Sequence, residues 1–340
     1  MKIKINKIIS FSLMILGFSC VGYAQQESQF TQYMFNRLSF NPAYAGSSGS
    51  ICATIMYRNQ WLGLNLDSPT PDVDPGSTPV DYLFSFDMPV KFLHGGIGLY
   101  VQSDKIGYHN TISGAFDYAF RIYWGPGNLA AGIEANFANN TLDFSQLHGS
   151  SDLSGDYSNP ISSSNDPLLN GDNQTSDFLF DLSTGVYYQV PGAYYFGISA
   201  KNLLASKSDV LNWKNARNIY LMGGYEYTIP ANPSFKLKPS VLLKTADFST
   251  IQAEASCLLD YQNLFWGGVT YRFQDAIAFL AGLNWQKMKV GVSYDLTTSR
   301  LGTFKQGLSA GTLELYLRYC FKVIIPPKPP SVYRNTRYLF

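Results

Sequence analysis

The sequence predicts an all-β protein, a transmembrane antiparallel up-and-down β-barrel of about fourteen strands with an N-terminal plug-like segment. Three observations predict it. From Ile51 onward, apolar and polar residues alternate with period two between turn residues. After Ala24, no stretch approaches the roughly 20 apolar residues of a membrane-spanning helix. Aromatic residues make up 15% of the chain and charged residues only 14%, against about 25% charged in average domains, so we expect lipid to cover part of the surface.

The chain begins with the pattern of a secretory signal peptide. Three lysines precede the apolar run Ile8–Phe18, and the small residues Gly22 and Ala24 stand just before Gln25. This spacing predicts Sec export and removal of residues 1–24. Cys20 leaves a lipoprotein as an alternative, which the bulky residue two positions before it disfavours.

The remaining chain divides into three parts. Residues 25–50 form a periplasmic or luminal segment, 51–322 form the barrel, and 323–340 form a Pro-rich tail. Proline fixes φ and cannot donate to a strand ladder, so we expect the Pro326–Pro330 run to be extended and semi-rigid.

The strand patterns have one apolar and one polar face. Ala131, Ile133, Ala135 and Phe137 share a face, and the intervening residues are small or polar. A soluble sandwich would show the same alternation, so the lengths of the connections have to distinguish a sandwich from a membrane barrel. Predicted short connections are Pro89–Gly95, Tyr123–Asn128, Val190–Ala193, Pro230–Pro233, Tyr261–Asn263 and Gln286–Lys287. Between them lie longer ones, Leu62–Pro79, Ser103–Asn110, Asp143–Ser176, Leu204–Asn215 and Thr298–Ser309, with Ala246–Thr250 and Phe273–Asp275 as short exceptions.

Short turns on one rim and long loops on the other are typical of outer-membrane barrels, whose short rim faces the periplasm. The sequence therefore predicts an outer-membrane protein with both termini in the periplasm. Aromatic residues near the predicted strand ends fit the interfacial belts of such barrels. They are Trp61, Tyr123, Trp124, Tyr194, Tyr195, Trp266 and Trp285.

Two N-terminal motifs carry a resemblance to a known family. Gln29–Asn36 (QFTQYMFN) and Asn41–Gly46 (NPAYAG) resemble the N-terminal signature of the PorP/SprF family. Tyr57–Trp61, Asp104–Gly107 and Tyr319–Lys322 are also similar to that family. The chain departs from the family at Arg37, where proline is frequent, in its long 143–176 loop, and in running on past residue 322.

The resemblance implies a barrel of the type IX secretion and gliding system of Bacteroidetes. Such a protein helps to secrete or anchor surface adhesins at the cell surface, with periplasmic secretion or gliding components and secreted surface proteins as partners. It implies no catalytic activity.

The candidate site residues lie in the N-terminal segment and the first strand. We expect this segment to fill the lumen or to dock a periplasmic partner; the alternative is an ordinary N-terminal extension. The candidates are Phe30, Tyr33, Met34, Phe35, Asn36, Asn41, Pro42, Tyr44, Arg58 and Trp61.

Charged residues fall on the polar faces of the predicted strands. They indicate either a charged pore or cargo cradle, or an ion-paired, hydrated lumen. A porin or transporter for small solutes is therefore the alternative function. The residues are Arg58, Glu134, Lys236, Lys238, Lys244, Glu254, Asp260, Lys289, Asp295, Glu314 and Arg318.

Two cysteines meet if the barrel closes. Cys52 and Cys320 face the lumen near the periplasmic ends of the first and last strands, whereas Cys257 faces lipid. A disulfide across the seam is therefore a hypothesis in an oxidising compartment; two small buried hydrophobic side chains are the alternative.

Other classes of function find little support. The net charge of +1 does not indicate the excess of basic residues that is typical of nucleic-acid-binding proteins. Asn170, Asp172 and Gln174 have the spacing of a calcium loop but lack its distal glutamate. The three histidines, His94, His109 and His148, stand in no catalytic signature. We predict neither a cofactor nor an enzyme.

Overall fold

The computed structural model describes residues 28–62, 78–143, 174–211, 213–298 and 311–322. The predicted signal peptide and Pro-rich tail lie outside these ranges, as do Asn170, Asp172 and His148. The strands are β1 (Ser50–Leu62), β2 (Val80–Val90), β3 (Gly95–Ile106), β4 (His109–Trp124), β5 (Gly127–Asp143), β6 (Gln174–Val190), β7 (Tyr194–Lys201), β8 (Lys207–Ser208), β9 (Trp213–Lys214), β10 (Asn218–Tyr225), β11 (Tyr227–Thr228), β12 (Phe235–Ala246), β13 (Thr250–Tyr261), β14 (Phe265–Arg272), β15 (Ala276–Trp285), β16 (Met288–Thr297) and β17 (Gly311–Lys322).

These strands form a closed antiparallel barrel. Each barrel strand pairs with its neighbours along the chain, and β1 pairs with β17 to close the ring. β10 and β11 both pair with β12 and count as one interrupted strand, so the described barrel has fourteen strands, as predicted. β8 and β9 form a small separate hairpin between β7 and β10.

The apolar face of the strands points outward. Ile55, Phe116 and Ile133 are 51%, 64% and 63% exposed, whereas Arg58 and Glu314 on the inner face are 2% and 0% exposed. A soluble sandwich would bury the first group and hydrate the second, so lipid is the solvent that fits this wall. Within the described ranges, no helix is long and apolar enough to cross a membrane.

The two rims differ in the length of their connections. The rim that contains Ser50 carries short turns at all its described hairpins; we call it the short-turn rim. The opposite, long-loop rim joins β1 to β2, β5 to β6 and β16 to β17 through long connections. Closed bacterial barrels place the long loops outside the cell and the short turns in the periplasm.

One predicted long loop is wrong. Ser103–Asn110 is not a loop, because β3 continues to Ile106 and β4 begins at His109, with those two residues directly paired. The turn between them has two residues, and its Gly107 adopts φ +57°, a conformation that glycine reaches without strain. The polar residues that indicated a loop belong to strands that extend toward the outer rim. Similarly, Gln174 is the first residue of β6 rather than part of a loop.

Candidate functional site

The N-terminal residues 28–49, which we call the luminal segment, run through the barrel. At one end, Ser28 Oγ donates to Asp104 Oδ2 at 2.8 Å, near the long-loop end of β3. At the other end, a Cβ on Gly46 would stand 2.7 Å from the carbonyl oxygen of Met88 at the short-turn rim. β1 then begins at Ser50. The first described residue therefore lies at the long-loop rim, and β1 begins at the short-turn rim.

The part of the luminal segment nearer the long-loop rim is held by backbone and side-chain hydrogen bonds. The Glu314 carboxylate of β17 accepts the backbone N–H groups of Thr31 at 2.8 Å and Gln32 at 2.9 Å. Thr31 Oγ1 donates to Asp295 at 2.6 Å and accepts from Arg58 at 3.2 Å and Arg272 at 3.1 Å. A hydroxyl has one donor and two acceptor lone pairs, so this one is fully used.

The charges around Thr31 form one buried network. Arg58 lies 3.4 Å from Glu314 and 3.7 Å from Asp295, and Arg272 lies 3.1 Å from Glu254 and 3.4 Å from Asp295. These side chains are at most 3% exposed. Buried charges are tolerated only when paired and hydrogen-bonded, so the network needs all its members. Arg58 was a predicted site residue; Arg272 was not.

Aromatic side chains fill the middle of the lumen. The Phe35 ring lies 4.7 Å from Trp266 and 4.9 Å from Tyr316, with Lys289 Nζ 3.9 Å from its centroid. The prediction of an interfacial role for Trp266 is wrong, since this side chain is 4% exposed and turned inward. Phe30 belongs to a second buried cluster on β1, β2 and β17. Tyr33, Met34 and Tyr44 belong to the main buried cluster.

Arg37, where the chain departs from the PorP/SprF pattern, is bound by tyrosines. Its guanidinium donates to Tyr187 Oη at 2.9 Å and lies 3.7 Å from the centroid of the Tyr195 ring. Its Nε donates to the Met34 carbonyl oxygen at 3.0 Å. Arginine thus joins the luminal segment to β6 and β7.

Asn41 and Pro42 begin a short 3₁₀ helix, Pro42–Tyr44. Asn41 Oδ1 accepts the Ala43 N–H at 2.9 Å, and its Nδ2 donates to the carbonyl oxygens of Val186 at 3.0 Å and Ile198 at 3.3 Å. One side chain therefore caps the helix and attaches it to two neighbouring strands. Asn36 acts locally, donating to Ser39 Oγ at 2.7 Å.

The inner wall carries glycines where the luminal segment passes. A Cβ on Gly96 would stand 2.3 Å from the Ala45 carbonyl oxygen, and one on Gly132 would stand 2.3 Å from the Ala43 nitrogen. Sequence reasoning placed such glycines on polar faces and missed this role. The available signal was a glycine inside a strand pattern, which indicates close approach of another backbone. The wall glycines that meet the segment are Gly96, Gly98, Gly132, Gly185, Gly197 and Gly291.

Two further basic residues that hold the segment were also missed. Arg121 donates to the carbonyl oxygens of Ala45 at 2.8 Å and Gly46 at 3.1 Å, and to Ser47 Oγ at 2.9 Å. Lys201 donates to the Ser39 carbonyl oxygen at 3.0 Å. Both bind the backbone, which every residue type possesses, so no local motif marks them.

Trp61 lies apart from the other candidates. It stands at the long-loop end of β1 where the register with β17 shifts, and it adopts φ +59°. Its N–H lies 3.4 Å from Thr312 Oγ1. The structure does not place it against the luminal segment.

Cys52 and Cys320 form a disulfide in the structure. They are directly paired across the β1–β17 seam, with Cα atoms 4.2 Å apart. Cys257 is an exposed free cysteine on the outer face. In the ranges described, no group of three or more His, Cys, Asp or Glu side chains is placed to hold a metal ion.

Two cavities flank the luminal segment. One of about 1480 Å³ lies at the short-turn rim, and Met34, Phe35 and Tyr44 contribute to its lining. One of about 210 Å³ lies toward the long-loop rim, and Phe30 and Phe40 contribute to its lining. The segment therefore stands between the two spaces.

A family model described as type IX secretion system membrane protein PorP/SprF matches residues 22–319. The chain belongs to this family. The PorP/SprF assignment places the protein among secretion membrane proteins, in agreement with the resemblance of the N-terminal motifs, and its barrel is of the outer-membrane type.

No curated protein matches this PorP/SprF chain. Among solved structures, it is similar to the outer membrane protein Omp33 of Acinetobacter baumannii, with 7% identity, a TM-score of 0.42, and coverage of 80% of this chain and 99% of that one. It is similar to a TodX monoaromatic hydrocarbon channel mutant, with 10% identity, a TM-score of 0.47, and coverage of 84% and 94%. It is also similar to the CymD monoaromatic hydrocarbon channel, with 12% identity, a TM-score of 0.45, and coverage of 91% and 97%.

Proposed function

We propose that this PorP/SprF protein is a plugged outer-membrane anchor that helps to secrete or retain surface proteins, and does not act as a solute channel. The observation that supports this most is the luminal segment. Hydrogen bonds from β6, β7, β16 and β17 bind it, and the Arg58–Asp295–Glu314 network surrounds Thr31. A segment attached to so many wall strands favours a closed lumen.

The connections at the long-loop rim are the proposed binding surface for the secreted surface or adhesin protein. Loops carried by a rigid scaffold are where binding residues concentrate, and a closed barrel provides such a scaffold because every strand has two partners. The longest of these connections follow β1 and β5. The periplasmic secretion or gliding components would then bind at the short-turn rim, where β17 ends at Lys322 and residues 323–340 follow.

The direction of the luminal segment changes the expected topology. We propose a periplasmic C-terminal tail, as the sequence predicts, but an N-terminus that leads to the outer mouth of the barrel. Ser28 is hydrogen-bonded near the long-loop end of β3, which supports this assignment.

The experiment compares crosslinked complexes purified from outer membranes with full-length protein and with a version ending at Lys322. We expect a secreted surface protein to co-purify with both versions, and the periplasmic components to be lost on truncation. Planar-bilayer conductance of the same preparations tests the alternative. A barrel that purifies alone from both and conducts ions steadily would be a porin, and the anchoring proposal would be wrong.

A further inference from the structure

The larger cavity, which we call the vestibule, opens between the turns of the short-turn rim. Its volume is about 1480 Å³, and turn residues such as Gly192 and Gln286 line its mouth. Small-molecule sites occupy about 300–1,000 Å³. The vestibule therefore has room for a segment of polypeptide.

The charge of the vestibule is one-sided. Lysine or arginine lines it at seven positions, whereas Glu226 is its one acidic lining residue. That carboxylate is already paired, because Lys236 Nζ lies 2.7 Å away. Of the seven basic residues, Lys238 and Arg318 face wall carboxylates at 2.9 and 3.5 Å. Five positive charges remain.

None of these five has a carboxylate within ion-pair distance among the described residues. Arg37 and Lys289 lie over aromatic rings, and Arg121 donates to backbone carbonyls and a serine. Lys91 and Lys287 are exposed in the turns at the mouth. Like charges in a partly desolvated cavity repel each other and attract counter-charge, so this arrangement is suited to an anionic ligand.

We propose that the vestibule binds an acidic peptide segment of a periplasmic partner. Carboxylates would face Arg37, Arg121 and Lys289, and Lys91 and Lys287 would guide the segment in. The protein's own tail is a poor occupant by charge, because residues 323–340 contain Lys328, Arg334 and Arg337 and no acidic side chain. This inference rests on the proposed function for the short-turn rim facing the periplasm.

The test uses the purified full-length barrel and a short fluorescent peptide with alternating glutamates. Its matched control is the same peptide with glutamines, and free glutamate serves as a competitor. The protein variants are Lys91→Glu with Lys287→Glu, two exposed turn residues whose change leaves the barrel wall intact. The matched pair at the long-loop rim is Lys105→Glu with Lys207→Glu, also exposed.

We expect the glutamate peptide to bind, more weakly at higher salt, and the glutamine peptide not to bind. The Lys91/Lys287 pair should weaken binding about tenfold and the Lys105/Lys207 pair should leave it unchanged. The proposal would be overturned by an equal loss of peptide affinity in both variant pairs, or by no binding of the glutamate peptide. Displacement of that peptide by free glutamate at equal concentration would also overturn it.

A version ending at Lys322 tests whether the protein's own tail occupies the vestibule. If it binds the peptide about tenfold more tightly than the full chain does, the tail occupies the vestibule and the proposal is wrong. The membrane pull-down tests anchoring independently. Peptide binding without co-purified partners overturns only the anchoring function, whereas co-purified partners without peptide binding overturn only this inference.

Discussion

Single residues hold the luminal segment through saturated polar contacts. Thr31 is the clearest case, because one hydroxyl completes a network of two arginines and one carboxylate that lie on different strands. Asn41 acts similarly at the other end, where one amide caps a helix and reaches two strands. Such positions tolerate little change, since a lost partner leaves a buried polar group unpaired.

Replacing Thr31 with valine removes three hydrogen bonds to charged groups and keeps the volume. We expect the free energy of unfolding in lipid vesicles to fall by about 2–4 kcal/mol. Hydrogen bonds to charged groups contribute about 1.5–3 kcal/mol each, and the contributions of bonds within one network do not add fully. Thr31→Ser is the control; it keeps the hydroxyl and should cost about 1 kcal/mol for the lost methyl. Equal stability of the two variants would show that the network does not depend on this hydroxyl.

The disulfide is a second contact at the scale of single residues. It links positions 268 residues apart, across the seam that closes the barrel. We expect Cys52→Ser with Cys320→Ser to lower the free energy of unfolding by about 2–4 kcal/mol, since a crosslink restricts the unfolded chain. Cys257→Ser, on the outer face, should leave the free energy of unfolding unchanged. Mass analysis of unreduced peptides provides the direct measurement, and recovery of both thiols free would contradict the bond.

At the scale of elements, the luminal segment packs so closely against the wall strands that its atoms lie next to the backbone of wall glycines. Inward glycines on β3, β5, β6 and β7 leave the space that Ala43, Ala45 and Asn41 occupy. Glycine weakens a strand, so its presence at these positions indicates packing against another chain segment rather than strand formation.

Gly132→Val tests this fit. A side chain there would meet the backbone of Ala43, which cannot move aside as a flexible side chain can. We expect the segment to detach, with bilayer conductance rising above that of the unchanged protein and a loss of about 1–3 kcal/mol in unfolding free energy. Gly114→Val on β4 is the matched control, since its Cβ would meet nothing closer than 3.7 Å. If both valine variants stay closed, the glycine wall does not position the segment.

At the scale of the whole molecule, the luminal segment crosses from the long-loop rim to the short-turn rim before β1 begins. The chain therefore enters its own barrel at the long-loop rim and forms the wall afterward.

Cysteine labelling checks the topology in a Cys257→Ser background. We expect Ser28→Cys and Thr298→Cys, both at the long-loop rim, to react with a membrane-impermeant maleimide on intact cells. Ala231→Cys lies in the turn between β11 and β12 and should react only after the outer membrane is permeabilised. Reaction of Ser28→Cys in step with Ala231→Cys would place the start of the segment in the periplasm.

The sequence by itself determined the barrel wall. Side chains alternate across a strand, so the period-two pattern of β5 or β17 specifies both the strand and its two faces, and turn residues between neighbours specify hairpins. Barrel closure makes the first and last strands neighbours, and an even number of strands makes them antiparallel, so Cys52 and Cys320 were expected near the same rim. Their bond was only a hypothesis at that stage, because a register shift of one residue would separate them. The Ser103–Asn110 connection was misread because the ends of β3 and β4 at the long-loop rim are rich in polar residues, which interrupt the period-two pattern.

Only the tertiary structure decided what fills the lumen and in which direction. The contacts of Thr31 with Asp295 and Glu314 join residues 264 and 283 positions apart, and no local pattern encodes such a pair. Trp266 was read as an interfacial residue for the same reason: its partner, Phe35, lies on a distant part of the chain. Periodicity reports which face a side chain occupies, but the identity of its neighbour on that face depends on how the closed barrel brings distant segments together.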